Sequence, residues 1–392
     1  MLDFTWAVAG PIATKMLAMH GATVIKVESN LRLDGTRIAP PFRPKIGRNR
    51  SAYYTDLNNT KYSVTLNLNH PEAKGVIHRL VPWADVVIEN FSPGIMERWG
   101  LGYEDLVKLN PDVIMLSSTM QGREGPHAAH VGLGPTLGGL VGLNHFTGWP
   151  DREPVGITSP YTDVIGPWFA GVAVMAALEQ RDRTGQGQHV DLSQYEAAIH
   201  MLAPAFLDYA ANGRVQTRVG NRSSYWAPHG AYRCQSEDRW VALAVTSDGE
   251  WERFTKAIGD PAWARDPRFR SNASRLHHAD GLDPMVEAWT VSREAEAVAR
   301  LLQAAGVPAG VVATARELHA DPTLKAMGQF VQVDHPEIGP HAHTHPSFWL
   351  ESTPAQFRPA ARIGEHNEWV YKELAGLPDE VYTRLQKAGV FQ

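Results

Sequence analysis

The chain opens strand, turn, helix, strand and then repeats that unit, which confines it to folds built on a parallel sheet. Residues 2–8 are apolar and aromatic-enriched, as a short strand would be. Ala9-Gly10-Pro11 is a turn, with Pro11 suited to the first position of a helix. Ile12, Met16 and Leu17 recur at helical spacing up to His20, and Gly21 ends the helix. Residues 22–27 (ATVIKV) form a second strand that ends at Glu28. The pattern returns with strands predicted at 62–68, 84–89 and 113–118 and helices at 71–81 and 103–109. This is an α/β chain with a doubly wound domain.

Further on, 164–180 reads as a long apolar helix, 189–192 as a strand and 194–202 as a helix. The domain boundaries predicted are 1–205, a polar, glycine-bearing linker over 206–225, and a smaller α+β domain over 226–330. The small domain should contain a hairpin, 231–234 with 240–245, and helices at 250–258 and 293–304. Residues 362–392 read as a helical tail.

A length of 392 residues fits two to three domains, and 43% hydrophobic residues exclude global disorder. The charge balance, 37 − 42 = −5, argues against a nucleic-acid partner. A single cysteine, Cys234, excludes an intrachain disulfide framework and any cysteine-rich zinc module, and suits a reducing cytosol. No membrane span is expected, because the best apolar stretch, 164–178, is short and holds Gly166, Pro167 and Gly171. No basic cluster precedes an apolar run at the start, so no signal peptide is expected and the predicted location is cytoplasmic.

Glu28 lies near the position of the acidic residue in a nicotinamide dinucleotide site. The preceding turn, however, has one of the three glycines that bring backbone against a pyrophosphate, which favours a purely structural unit. His341, His343 and His345 alternate between Pro340 and Pro346 with no carboxylate or thiol in the run, which favours an exposed loop over a metal site. His127 and His130 likewise read as loop residues. Arg37, Lys61 and Arg98 lie near strand–helix junctions, where phosphates bind. Asp163 stands directly before the long apolar helix. Position alone favours a helix N-cap; the same geometry suits an ionised carboxylate that attacks an activated acyl group.

Several stretches together resemble the class III CoA-transferases, a family that includes related α-methylacyl-CoA racemases. They are LDFTWAVAGPIATKMLAMHGATVIKVES, ENFSPGIMERWGLGYEDL and YTDVIGPWFAGVAVMAALEQRDRTGQGQHVDLSQYEA, with APHGAYRCQSEDRWVALAV, DPRF, AAGVPAG and ARIGEH behind them. The resemblance spans nearly the whole chain in the expected order. It implies a Rossmann-like large domain built from both chain ends, completed here by 331–392, plus a smaller domain. It also implies an interlocked dimer, either a homodimer or a heteromer with a related subunit.

Carried over residue by residue, Asp163 matches the catalytic aspartate. Asn90 and Phe91 match the segment lining the CoA site, and Arg98, Arg37 and Lys61 match CoA-contacting basic positions. Coenzyme A and its acyl thioesters would be substrates rather than tightly bound cofactors, with an organic acid as the other partner and no metal. The chain departs from the family at Ser92, where an arginine is frequent, and at Trp6 and Val8, where formyl-CoA transferases carry histidine and glutamine. Their mobile glycine-rich loop has no clear counterpart either, which argues against an oxalate-type acceptor pocket. Leu133 stands where the racemases need a histidine, which disfavours racemisation.

The resemblance implies transfer through an aspartyl anhydride and an aspartyl-CoA thioester on Asp163. A dicarboxylyl-CoA such as succinyl-CoA is the favoured donor, and a medium-sized organic acid the acceptor. Trp6, Phe146, Trp149, Trp168, Tyr225 and Trp226 either build an acceptor pocket or fill the core, and aromatic preference favours the core. A racemase or epimerase, and a non-catalytic CoA-binding subunit of a heteromeric transferase, stay open as alternatives.

Overall fold

The apolar runs pair in parallel. In the computed structural model, which describes residues 1–157 and 159–392, six strands form one sheet in the order β3-β2-β1-β4-β5-β6. They are β1 (Leu2–Asp3), β2 (Ile25–Glu28), β3 (Tyr62–Thr65), β4 (Val86–Glu89), β5 (Ile114–Thr119) and β6 (His189–Ser193), and all five pairings are parallel. β1 is shorter than predicted. After Phe4 the chain turns, because Asp3 Oδ1 takes the backbone N–H of Thr5 at 2.9 Å and its hydroxyl at 2.5 Å.

Alternation along the strands sorts side chains to two faces. Leu2, Ile25, Val27, Val64, Val87 and Met115 pack with the helix Ala73–Leu80 and with Val370, Tyr371, Leu385 and Val390 from the C-terminal tail. Val86, Ile88, Ile114 and Leu116 face the opposite way, against Ala13 and Ala18 of the helix Ala9–Met19 and Ala170, Val174 and Ala177 of the helix Tyr161–Thr184. The tail also covers the edge strand β3. Asn367 Oδ1 accepts the Thr65 N–H at 2.7 Å, and Tyr371 donates its hydroxyl to the Thr65 carbonyl at 2.9 Å.

Two compact units divide the chain. The first comprises residues 1–144, 156–215 and 326–392; the second comprises 145–155 and 216–325. The second unit holds the predicted hairpin, β7 (His229–Arg233) with β8 (Trp240–Ala244), extended by β9 (Ala309–Val311). Its core is Val241, Leu243, Phe254, Leu282, Val298 and Leu302. The excursion of 145–155 into this unit carries no sequence signal of its own. Within the unit Gly220, at φ +64°, lies under Trp149, where a Cβ would come within 2.4 Å of the indole ring.

Two sequence expectations are corrected here. The histidine run is a strand, β11 (Gly339–Thr344), paired antiparallel with β10 (Phe330–His335), because a two-stranded sheet tolerates the flanking prolines at its margins. His343 is buried, its Nδ1 within 3.3 Å of Asp56 and 3.2 Å of Asn59. Among the described residues no group of three or more histidine, cysteine or acidic side chains is placed to hold a metal. The long helix is also longer than predicted, Tyr161–Thr184. Its length and composition would suit a membrane span, and one of its faces is packed on the sheet.

Candidate active site

The helix Tyr161–Thr184 starts at Pro160, which makes Asp163 its third residue rather than its cap. The Asp163 N–H closes a tight first turn on the Pro160 carbonyl at 2.9 Å. Pro167, four residues on, has no N–H to give the Asp163 carbonyl, so the helix is locally loosened at this point. The carboxylate points toward a second helix, Gly134–Leu140, and accepts the backbone N–H of Gly134. The Gly134 carbonyl accepts the Thr162 hydroxyl at 3.2 Å, which ties the two helix starts together. Burial pushes the Asp163 carboxyl up to about 6, and the Gly134 hydrogen bond opposes that rise. At neutral pH the group is therefore an ionised carboxylate, poorly solvated and held in place.

Asp163 lines a cavity of about 420 Å³, a size suited to a small-molecule group. The wall comes largely from the carboxyl ends of the parallel strands: Glu28 of β2, Asn90 just after β4, Thr119 at the end of β5, and Gln194 just after β6. Ligands of open parallel sheets bind at this edge. Trp6, Val8, Phe91, Leu133 and Leu137 supply apolar surface.

The structure brings Asn90 and Phe91 into this wall with Asp163. Asn90 clamps the backbone of Trp6, accepting its N–H and donating to its carbonyl, both at 2.8 Å. Phe91 donates its N–H to Glu89 at 2.7 Å and packs edge-on against Trp6 and Trp99.

Arg37 and Lys61 are not in the wall. Arg37 is fully buried and grips Glu28 with two hydrogen bonds of 2.8 Å, while its third nitrogen reaches the Arg48 carbonyl and Asn49. Burial alone would raise Glu28, but Arg37 holds it down at about 2. Lys61 is buried on Asp3, Asn58 and the Pro11 carbonyl, at 2.9 to 3.1 Å. Both cations are engaged by internal partners and neither lines the cavity. Glu28 thus anchors a buried ion pair. Arg98 ends the short helix Ile95–Arg98 and is exposed, outside the cavity wall.

Two wall residues carry no clear sequence signal as site residues. Arg32 lies over the Trp6 ring at 5.3 Å and is the basic side chain of the wall. His130 lines the cavity from the loop before Gly134. Of the two aromatic candidates within the first unit, Trp6 lines the cavity and Trp168 does not. Trp149, Trp168, Tyr225 and Trp226 are all more than 40% exposed, so these four do not fill the core.

The geometry is a doubly wound parallel sheet with a half-buried carboxylate at the carboxyl ends of its strands, the edge where such sheets bind ligands. The family model for CoA-transferase family III matches residues 1–367, and the chain belongs to that family. It is 34% identical over 387 residues to a succinyl-CoA–D-citramalate CoA-transferase of Chloroflexus aurantiacus, covering 98% of this chain and 95% of the relative. It is 32% identical over 378 residues to a succinate–glutarate CoA-transferase of Agrobacterium fabrum, covering 95% and 94%. Among solved structures, a CAIB/BAIF family protein from Brucella suis superposes with a TM-score of 0.87 at 31% identity, covering 95% of this chain and 97% of that one.

Proposed function

We propose that this chain moves coenzyme A from a dicarboxylyl-CoA, succinyl-CoA or a close analogue, to a medium-sized organic acid, with Asp163 as the covalent nucleophile. An Asp163 oxygen attacks the thioester carbonyl, the C–S bond breaks, and CoA leaves as thiolate. The thiolate attacks the aspartyl carbonyl of the mixed anhydride and releases the donor carboxylate. The acceptor carboxylate then displaces the thiolate from the aspartyl thioester, forming a second anhydride. Attack of the thiolate on the acceptor carbonyl completes the transfer and restores Asp163. Every bond made matches one broken, so neither a nucleotide nor a metal is consumed.

The observation that carries this reading is the carboxylate itself: half-buried in a cavity wall and held by one backbone N–H. The succinyl-CoA in the name of the Chloroflexus relative, and the succinate in that of the Agrobacterium relative, support the choice of donor. Arg32 and Arg98 are the basic side chains near this edge left to meet the cofactor's phosphates, and Asn90 with Phe91 shapes the wall beside them.

We also propose that a second copy of the chain, or a related subunit, covers the exposed apolar face of the long helix. Val164, Trp168, Val172 and Met175 recur there at helical spacing and are 37%, 47%, 71% and 56% exposed. A cytoplasmic enzyme is the corresponding setting.

The experiment is to incubate the protein with succinyl-CoA, trap with hydroxylamine and map the modified residue by mass spectrometry. A hydroxamate on Asp163 is expected. Modification elsewhere, or none with turnover intact, overturns the nucleophile. Running the reaction in D2O tests the alternative raised by His130 in the cavity wall: deuterium entering the α-position without an acceptor acid would mark a racemase instead.

A further inference from the structure

Two polar atoms in the cavity region are buried without a hydrogen-bonding partner among the described residues: Thr119 Oγ1 and Gln194 Oε1. Thr119 is 5% and Gln194 8% exposed, and both residues line the cavity that holds Asp163. A buried polar group left unpaired costs about 1–3 kcal/mol, so native chains seldom keep two together without a use.

Their placement is set by the sheet. Thr119 ends β5 and is in register with Ser193 of β6, and Gln194 follows directly. The Gln194 stem lies against Gly166, where an added Cβ would stand 3.2 Å from its Cγ. Gly166 is one helical turn beyond Asp163 on the same face of the long helix, so the missing side chain leaves room for an amide beside the nucleophile. Around them the wall is apolar, with Trp6, Val8, Leu133 and Leu137.

We propose that Thr119 and Gln194 determine acyl specificity, by binding a second oxygen function on the group that Asp163 receives. This rests on the nucleophile reading above. The unpaired Gln194 Oε1 accepts and the Thr119 hydroxyl can donate, which suits a distal alcohol; a distal carboxylate would take the hydroxyl and, with the amide turned over, the Gln194 N–H. A hydrocarbon acyl chain would leave both unpaired, and a site built in this way rejects such a chain far better than an apolar pocket rejects an added oxygen.

The test compares succinyl-CoA, 4-hydroxybutyryl-CoA and butyryl-CoA as donors, reading release of the donor carboxylate in the first turnover. Gln194→Met and Thr119→Val should each lower kcat/KM for an oxygen-bearing donor by about 30-fold or more, and leave butyryl-CoA within about threefold. Loss on succinyl-CoA assigns a carboxylate subsite; loss on 4-hydroxybutyryl-CoA alone assigns an alcohol. Thr119→Ser should restore the preference, and Gln194→Glu should repel succinyl-CoA selectively, so the proposal stays testable if an apolar variant misfolds. Equal loss on all three donors, or no loss on any, overturns it. Asp163→Asn run in parallel keeps the two readings apart. If that variant still transfers, the nucleophile fails whatever the donor preference shows.

Discussion

The backbone N–H of Gly134 is bonded to the carboxylate of Asp163, and a Cβ placed on Gly134 would lie 2.8 Å from the Asp163 Cγ and 2.7 Å from the Pro160 Cβ. The start of one helix thus holds the proposed nucleophile of another, and only glycine leaves space for it. Gly134→Ala should push the carboxylate out of line and reduce first-turnover acylation at least about 10-fold, since a displacement of an ångström is costly to a positioned attack. Circular dichroism should be unchanged; an unaltered rate would show that the contact is incidental.

Asp163→Asn should cost about three orders of magnitude or more in transfer, because an amide oxygen neither forms the anhydride nor leaves again. The same change should stabilise the protein at pH 8. Burial raises the folded carboxyl from the ordinary 3.8 to about 6, so the folded state binds more protons than the unfolded one in that window. Stability therefore falls as pH rises from about 4 to 6. Removing the charge should return about 1–3 kcal/mol, allowing for partial solvent screening. Denaturation midpoints at pH 5 and pH 8 check this, with the gap between variant and parent wider at pH 8.

The acylation rate should follow the ionisation of the same group. A protonated carboxyl does not attack a thioester, so the rate should fall about tenfold per unit below pH 6 and level off above pH 7. A rapid-quench profile of donor-carboxylate release across pH 4.5–8.5 would show it. A flat profile would place the rate-controlling group elsewhere.

Arg37→Ala should act on stability and not on cofactor affinity. The change strands Glu28 in the interior, at a cost of about 3–5 kcal/mol. The parent's own advantage from this pair is present above pH 4.5 and fades as pH falls toward 2, where Glu28 protonates in the folded state. A lowered unfolding midpoint with an unchanged KM for acyl-CoA is expected; a raised KM with normal stability would restore Arg37 as a phosphate contact.

Trp168→Glu or Val172→Glu should reduce the proposed assembly to single chains. Both side chains are exposed on the apolar face of the long helix, and a carboxylate there is harmless in water but unpaired inside an interface. Light scattering reads the mass directly. A mass equal to the parent's would mean that this face is not covered by another chain.

Much of the sheet was legible in order along the chain, because a strand buried on both faces is written as a short apolar run. The runs ATVIKV, ADVVIE and VIMLSS each became strands, and the hairpin of the second unit formed around Glu237-Asp238 as read. Asp163 stood out through its place before the long helix. The sequence does not reveal its partner, Gly134, whose N–H is 29 positions away and meets it only when two helix starts converge. The histidines of β11 were misread for a similar reason: alternation with flanking prolines is written alike for a loop and for a short paired strand.

Local pattern and motif by themselves determined the fold class and the family and singled out Asp163 as a candidate, because periodicity and contiguous motifs are properties of neighbouring residues. Tertiary structure alone decided which charges are free. Arg37 and Lys61 look like surface cations in the text, yet each is consumed by a carboxylate, Glu28 nine residues back or Asp3 at the far end of the opening unit. It likewise decided that Thr119 and Gln194 stand together, since strand register, and not distance along the chain, sets which side chains share a wall.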